Sequence, residues 1–190
     1  MSEQSDRPLH HPYGPSRWPG LCVCPNYTPG GADSEYTARG RAIHLAVETG
    51  TFDGLNEEDR ETAMWMCGEL DRMTQGIVFE QEVPTEIVND DAPPEVIGVY
   101  GTCDATWPCE DGSRAVVDLK GFSKIGLADY RAQLAGYCLG LPVPSNGVFR
   151  CHVFHGGSRK VESFDLTLDV CFYYASLVAC AIANPCEPCH

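Results

Sequence analysis

The spacing of apolar residues changes along the chain, and each change marks an element. Behind Asp33 or Ser34, either of which can cap a helix, the segment "EYTARGRAIHLAVETG" places Tyr36, Ile43 and Val47 on one face and stops at Gly50. A second helix is predicted from about Glu57 to Thr74, with Ala63, Met64, Cys67 and Leu70 as its apolar side. The period then drops to two. "IVFEQEVPTEIV" (Ile77 to Val88) reads as a strand bent near Pro84, and "EVIGVYGTCDATW" (Glu95 to Trp107) follows across the turn "NDDAPP". "SRAVVDLKG" is a third strand, reached through the turn Glu110 to Ser113, and the three are expected to form an antiparallel meander. Helical spacing returns from Ala128 to Leu141, with Tyr130, Leu134, Tyr137 or Cys138, and Leu141 apolar. Two strands, "GVFRCHVFH" and "KVESFDL", flank the turn "GGSR", and Thr167 precedes a last apolar helix reaching about Ala183. Helices and strands in this order predict an α/β fold with a central mixed β-sheet flanked by helices.

One domain is expected over residues 1–190: an arm over 1–33, a core over 34–166, and a helix with a Cys-rich tail over 167–190. Proline and glycine make the arm loop-rich rather than helical. At 43% hydrophobic residues the chain is neither disordered nor fibrous. No apolar leader segment is visible, and the run from Val170 to Ala183 is short for a bilayer span. It reads as a buried helix. No membrane partner and a cytoplasmic location are therefore expected. Thirteen basic residues against 27 acidic ones give a net charge of −14. That excludes loose binding to nucleic acid through counterion release, but not a local basic groove. Eleven cysteines are many for a reducing compartment, so metal or cluster ligation is the leading reading for some of them.

The chemistry is concentrated in "AVVDLKG". Side chains on a strand alternate between faces, so Asp118 and Lys120 share a face inside an otherwise apolar run. Taken alone they also read as a surface ion pair, worth about 0–1 kcal/mol. Asp104 lies on the preceding strand, and the turn at Glu110 to Ser113 lays the two strands side by side. Two close carboxylates repel unless a proton or cation lies between them, and a hard divalent cation such as Mg²⁺ or Mn²⁺ resolves the conflict. Lys120 would then stand beside a metal-bound water, placed to stabilise charge on a phosphoryl oxygen.

"GTCDAT…AVVDLKG" resembles the nuclease core of the PD-(D/E)XK superfamily, with an acid on one strand and acid-x-Lys on the next. "RGRAIHLAVE" resembles the G-x-x-x-H helix of the RecB-like branch, through Gly40 and His44. "RAQLAGYCLG" resembles that branch's Q-x-x-x-Y motif, through Gln133 and Tyr137, which project from one helical face. The nearest likeness is to phage-type exonucleases of this branch, similar to the CRISPR-associated RecB-like nucleases. It covers residues 34–141 directly and implies a restriction-endonuclease-like core. It also implies metal ligation by His44, Asp104, Asp118 and the Leu119 carbonyl. Lys120 would be the catalytic lysine, Gln133 and Tyr137 would hold the DNA backbone or the active-site strand, and Glu48 would support the site. Single-stranded or end-containing duplex DNA is the implied substrate, with a homo-oligomer or a recombination partner to offset the acidic charge. Arg39, Arg41 and Arg131 could line a groove. A catalytically inactive nuclease-fold DNA-binding or adaptor protein is the alternative.

Cys180, Cys186 and Cys189 form C-x5-C-x2-C near the C-terminus, and Cys22 and Cys24 lie in the arm. RecB-like nucleases often carry an iron–sulfur cluster held by one N-terminal and three C-terminal cysteines. The resemblance thus implies a [4Fe-4S] cluster on Cys24, Cys180, Cys186 and Cys189, with Cys22 as the rival to Cys24. Four thiolates suit Zn²⁺ equally, and His190 is then a further candidate ligand. Cys67, Cys103, Cys109, Cys138, Cys151 and Cys171 read as buried small hydrophobes.

Overall fold

A computed structural model describes residues 15–22, 35–74, 76–89, 95–122 and 130–183. A 3₁₀ turn (Pro15–Arg17) leads into a short helix, α1 (Trp18–Leu21); then come α2 (Glu35–Thr49) and α3 (Glu57–Met73). Strands β1 (Val78–Asn89), β2 (Glu95–Pro108) and β3 (Arg114–Lys120) follow, then α4 (Arg131–Gly140), β4 (Val148–His155), β5 (Lys160–Thr167) and α5 (Leu168–Ala183). The five strands form one sheet in the order β1-β2-β3-β4-β5. The first three are the expected antiparallel meander, β4 runs parallel to β3, and β5 is antiparallel to β4. The sheet is therefore mixed, with α4 as the crossover that parallel neighbours require.

Helices cover both faces. On one side Ile43, Ala46 and Val47 of α2 and Ala63, Met66 and Leu70 of α3 pack on Ala105, Trp107, Ala115, Val117 and Leu119. On the other, Leu134, Tyr137 and Cys138 of α4 and Cys171 of α5 pack on Val116, Cys151 and Val153. β3 is thus apolar on both faces, as expected of a strand covered twice. The α2 face agrees with the apolar spacing at Ile43 and Val47; the Asp33/Ser34 cap and the turn over 90–94 lie outside the described residues, as does the side chain of Tyr36. Gly50, at φ +67°, ends α2 in the left-handed conformation that glycine adopts most easily.

Three expectations are corrected. The core side of α3 is set by Ala63, Met66 and Leu70, whereas Met64 is 54% exposed. Met66 lies three residues from Ala63 and four from Leu70, so it completes their stripe, and Met64 lies about 100° off it. The last helix is buried on one side only: Phe172 and Tyr173 are exposed, while Cys171, Ala175, Val178 and Ala179 are covered. The arm is not all loop. Trp18 is fully buried among Leu21, Ala132, Ala175, Val178 and Ala179, so one aromatic anchors the segment to α4 and α5. That docking constrains α4, because a Cβ at Gly136 would stand 2.7 Å from Pro15 Cβ and 3.2 Å from the Trp18 ring.

Candidate active site

β2 and β3 pair from Pro108–Arg114 to Ala105–Val117, and the pairing stops there. Beyond it the Asp104 carboxylate takes the ladder's place: its Oδ2 accepts the Leu119 N–H at 2.6 Å. Asp104 Oδ1 lies 3.4 Å from His44 Nδ1, so α2 closes one side of this strand end. Burial pushes Asp104 upward, but the His44 charge and contact, the Leu119 N–H and Lys120 outweigh it and hold the carboxyl below its ordinary value. Burial likewise disfavours the His44 imidazolium, yet Asp104 prevails and raises it above 6.5.

Asp118 occupies the other side. It is 2% exposed, so the Asp118–Lys120 pair is not the surface ion pair that the two residues alone suggest. Lys120, on the same face as predicted, lies 3.1 Å from Asp118 Oδ1 and 2.9 Å from Oδ2. Gln133 Nε2 donates to Asp118 Oδ1 at 2.6 Å and lies 2.8 Å from the Tyr137 hydroxyl. Gln133 and Tyr137 are both buried. Their contacts are with Asp118 and with each other. Asp118 Oδ2 is buried and receives no well-aligned hydrogen bond, having only the Lys120 charge opposite it. Burial raises the Asp118 pKa; Lys120 lowers it, and the Asp104 charge raises it further. Burial alone would lower Lys120, but Asp118 reverses this and holds the amine above 10.5.

His44, Asp104, Asp118, Leu119, Lys120, Gln133 and Tyr137 are thus connected by direct contacts around the end of β3. Leu119 meets Asp104 through its N–H. Glu48 is exposed and joins no contact of this group. Among the described residues, no three His, Cys, Asp or Glu side chains are gathered in ligating geometry. Each carboxylate is instead matched to a cationic neighbour, Asp104 to His44 and Asp118 to Lys120. Two carboxylates and an imidazole are still an oxygen and nitrogen set suited to a hard divalent cation.

Two neighbours were missed as site residues. The Tyr130 ring lies 5.1 Å from Lys120 Nζ, and the fully buried His155 lies 5.8 Å from that ring, its Nε2 3.2 Å from Glu162. Tyr130 sits three residues before Gln133, a spacing that does point to the same helical side; His155 faces Lys120 only through the parallel register of β3 and β4. Two of the three arginines expected along a groove have partners within the fold. Arg39 grips Asp59 with two hydrogen bonds and also reaches Glu58, while Arg131 lies over the Phe164 ring; Arg41 is exposed.

The cysteine expectations divide. Cys24, Cys186, Cys189 and His190 lie outside the described residues. Cys180 is exposed on α5, and Cys22 packs beside Leu21 and the α5 residues that cover α1. Cys103, Cys138, Cys151 and Cys171 are buried as expected, with the Cys138 and Cys151 sulfurs 3.9 Å apart. Burial pushes the Cys103 and Cys138 thiols well above their ordinary range, as suits inert core residues. Cys67 and Cys109 are partly exposed.

No protein-family model matches the chain, and no curated protein matches it. Among solved structures, the crystal structure of SSO0001 is similar with a TM-score of 0.37 and 13% identity, over 89% of this chain and 83% of that one. A likeness of that degree carries no argument about activity. No helix among the described residues is long and apolar enough to cross a membrane.

Proposed function

We propose that the chain is a divalent-metal-dependent deoxyribonuclease with a restriction-endonuclease-like core, acting as an exonuclease on phage or bacterial DNA in the cytoplasm. The observation that carries this reading is the buried Asp118, flanked by Lys120, fixed by Gln133 and facing Asp104. Two carboxylates at one strand end, each with a single cationic neighbour, repel each other less when a further cation lies between them. The resemblance of the same residues to the RecB-like motifs supports it.

His44, Asp104 and Asp118 would hold Mg²⁺ or Mn²⁺, which when bound activates a water and offsets charge on phosphoryl oxygens. Gln133 sets the rotation of the Asp118 carboxylate, and Tyr137 in turn steadies Gln133. Lys120 carries its positive charge toward the position where a phosphoryl oxygen gains charge. The test is cleavage of end-labelled DNA with Mg²⁺ or Mn²⁺. The expected result is loss in Asp118→Ala and Lys120→Ala; unchanged cleavage in both variants rejects the reading.

One observation favours the non-catalytic alternative: both carboxylates already have cationic partners, Asp104 in His44 and Asp118 in Lys120. Calorimetry with Mn²⁺ separates the two, since an adaptor without a metal site shows no binding heat. A cluster or zinc held by Cys24 or Cys22 with Cys180, Cys186 and Cys189 belongs to the same proposal. Its support is that α1 brings Cys22 toward the helix carrying Cys180. A visible spectrum of anaerobically purified protein tests it: sulfur-to-iron absorption is expected for a cluster, and a colourless iron-free protein excludes one.

A further inference from the structure

Strands β3 and β4 are parallel, so their C-terminal ends emerge together, on the side where open α/β sheets receive ligands. A cavity of about 300 Å³ opens there, lined by Glu58 and Thr62 of α3, Gly121 and Phe122 after β3, and Gly156 to Arg159 after β4. Its wall begins one residue beyond Lys120. The two strand ends are pinned to each other, because Gly156 N–H donates to the Lys120 carbonyl at 2.9 Å. A side chain at Gly156 would collide with the Gly121 carbonyl and stand 2.7 Å from Thr62 Cγ2. Arg159 holds the left-handed conformation, φ +48°, where a glycine would be more comfortable. The turn between β4 and β5 imposes it, with the Arg159 N–H donating to the Gly156 carbonyl at 3.3 Å and the Ser158 N–H to the His155 carbonyl at 3.1 Å. Its one ion pair, to Glu61, joins two half-exposed groups and is easily exchanged. Phe122 also lines the cavity, with the Arg39 guanidinium 4.6 Å from its ring centroid.

A cation, a hydroxyl and a flat ring lining one cavity match the phosphate and base of one nucleotide. We infer that this cavity seats the nucleotide unit next to the scissile phosphate, with its phosphate at Arg159 and Ser158 and its base against Phe122. The inference rests on the nuclease reading for its strand, but its test does not use cleavage. Calorimetric titration of metal-free protein with thymidine 5′-monophosphate and with thymidine is the measurement. The monophosphate is expected to bind and thymidine not. Arg159→Gly, which also relieves the backbone, is expected to weaken binding about tenfold, the scale of one charge-assisted contact. Gly157→Asp, which sets a carboxylate on the rim at an exposed position, is expected to abolish it. Asp118→Ala, which lies outside the cavity lining, is expected to keep binding. Absence of monophosphate binding, equal binding of thymidine, or an unchanged affinity in Arg159→Gly would each overturn the subsite. If the binding pattern holds and wild-type protein does not cleave DNA, the subsite stands and the nuclease reading falls.

Discussion

At the scale of single residues, the site is a balance of two carboxylates against two cations. His44 is held above its ordinary 6.5 by Asp104, and Asp104 is held below its ordinary 3.8 chiefly by His44 against its own burial. A raised imidazole stabilises the fold below 6.5 and loses that contribution as pH rises through its folded value; a lowered carboxyl contributes above 3.8 and loses it as pH falls through its folded value. This pair therefore contributes most between 3.8 and 6.5. His152 behaves oppositely: its burial and Arg150 depress it, so it resists protonation until the pH is below 6.5. NMR titration of metal-free protein should give His44 an apparent pKa above 6.5 and His152 one below it. Mn²⁺, or diamagnetic Mg²⁺ for line shape, should then perturb His44 and leave His152 unchanged; perturbation of neither counts against the ligand assignment. Gln133→Leu removes the donor that orients Asp118 and leaves the buried carboxylate with Lys120 as its remaining partner. A loss of about 1–3 kcal/mol of stability is expected by denaturant titration. Cleavage should fall about a hundredfold if Asp118 shifts by about an ångström.

Among the elements, α4 does two things at once. One turn carries Gln133 and Tyr137 to Asp118, and Gly136 between them admits Pro15 and Trp18. Gly136→Ala should therefore cost about 1–3 kcal/mol by overpacking against a rigid ring, read as a lowered midpoint in thermal unfolding. An unchanged midpoint would mean that the 15–21 segment does not dock as described. Much of this level was legible in the sequence. Helical and alternating periods located every long element, and the i, i+4 spacing put Gln133 and Tyr137 on one face. The short helix around Trp18 was hidden by its prolines and glycine, because its stability comes from burying one large aromatic against distant helices rather than from local propensity. Met64 was mistaken for Met66 for a similar reason: both are apolar, and only the tertiary partner decides which faces inward. The burial of Asp118 was also not legible, since it depends on α4 covering the end of β3.

Across the whole molecule, the account must reconcile a nucleic-acid substrate with a net charge of −14. Arg39 is bound to Asp59 and Glu58, so the surface gains no free basic groove from it. Binding to DNA should accordingly be weak in EDTA and strengthen with Ca²⁺, a hard cation offered as a non-catalytic stand-in, in a filter-binding series at fixed ionic strength. Equal binding with and without divalent cation would show that affinity comes from elsewhere on the surface or from a second subunit. The sequence motifs named the site residues that the fold then gathers, whereas the cavity beyond Lys120 could not be read from them. It is formed by a turn after β4, by two residues after β3 and by α3, segments brought together only by the parallel register. The most direct test of the central claim is a time course of end-labelled DNA with Mn²⁺, comparing wild-type protein with Asp118→Asn. The near-isosteric change keeps the packing and removes the charge. Metal-dependent shortening of the DNA by wild type and none by Asp118→Asn is predicted; equal rates for the two proteins would contradict the account.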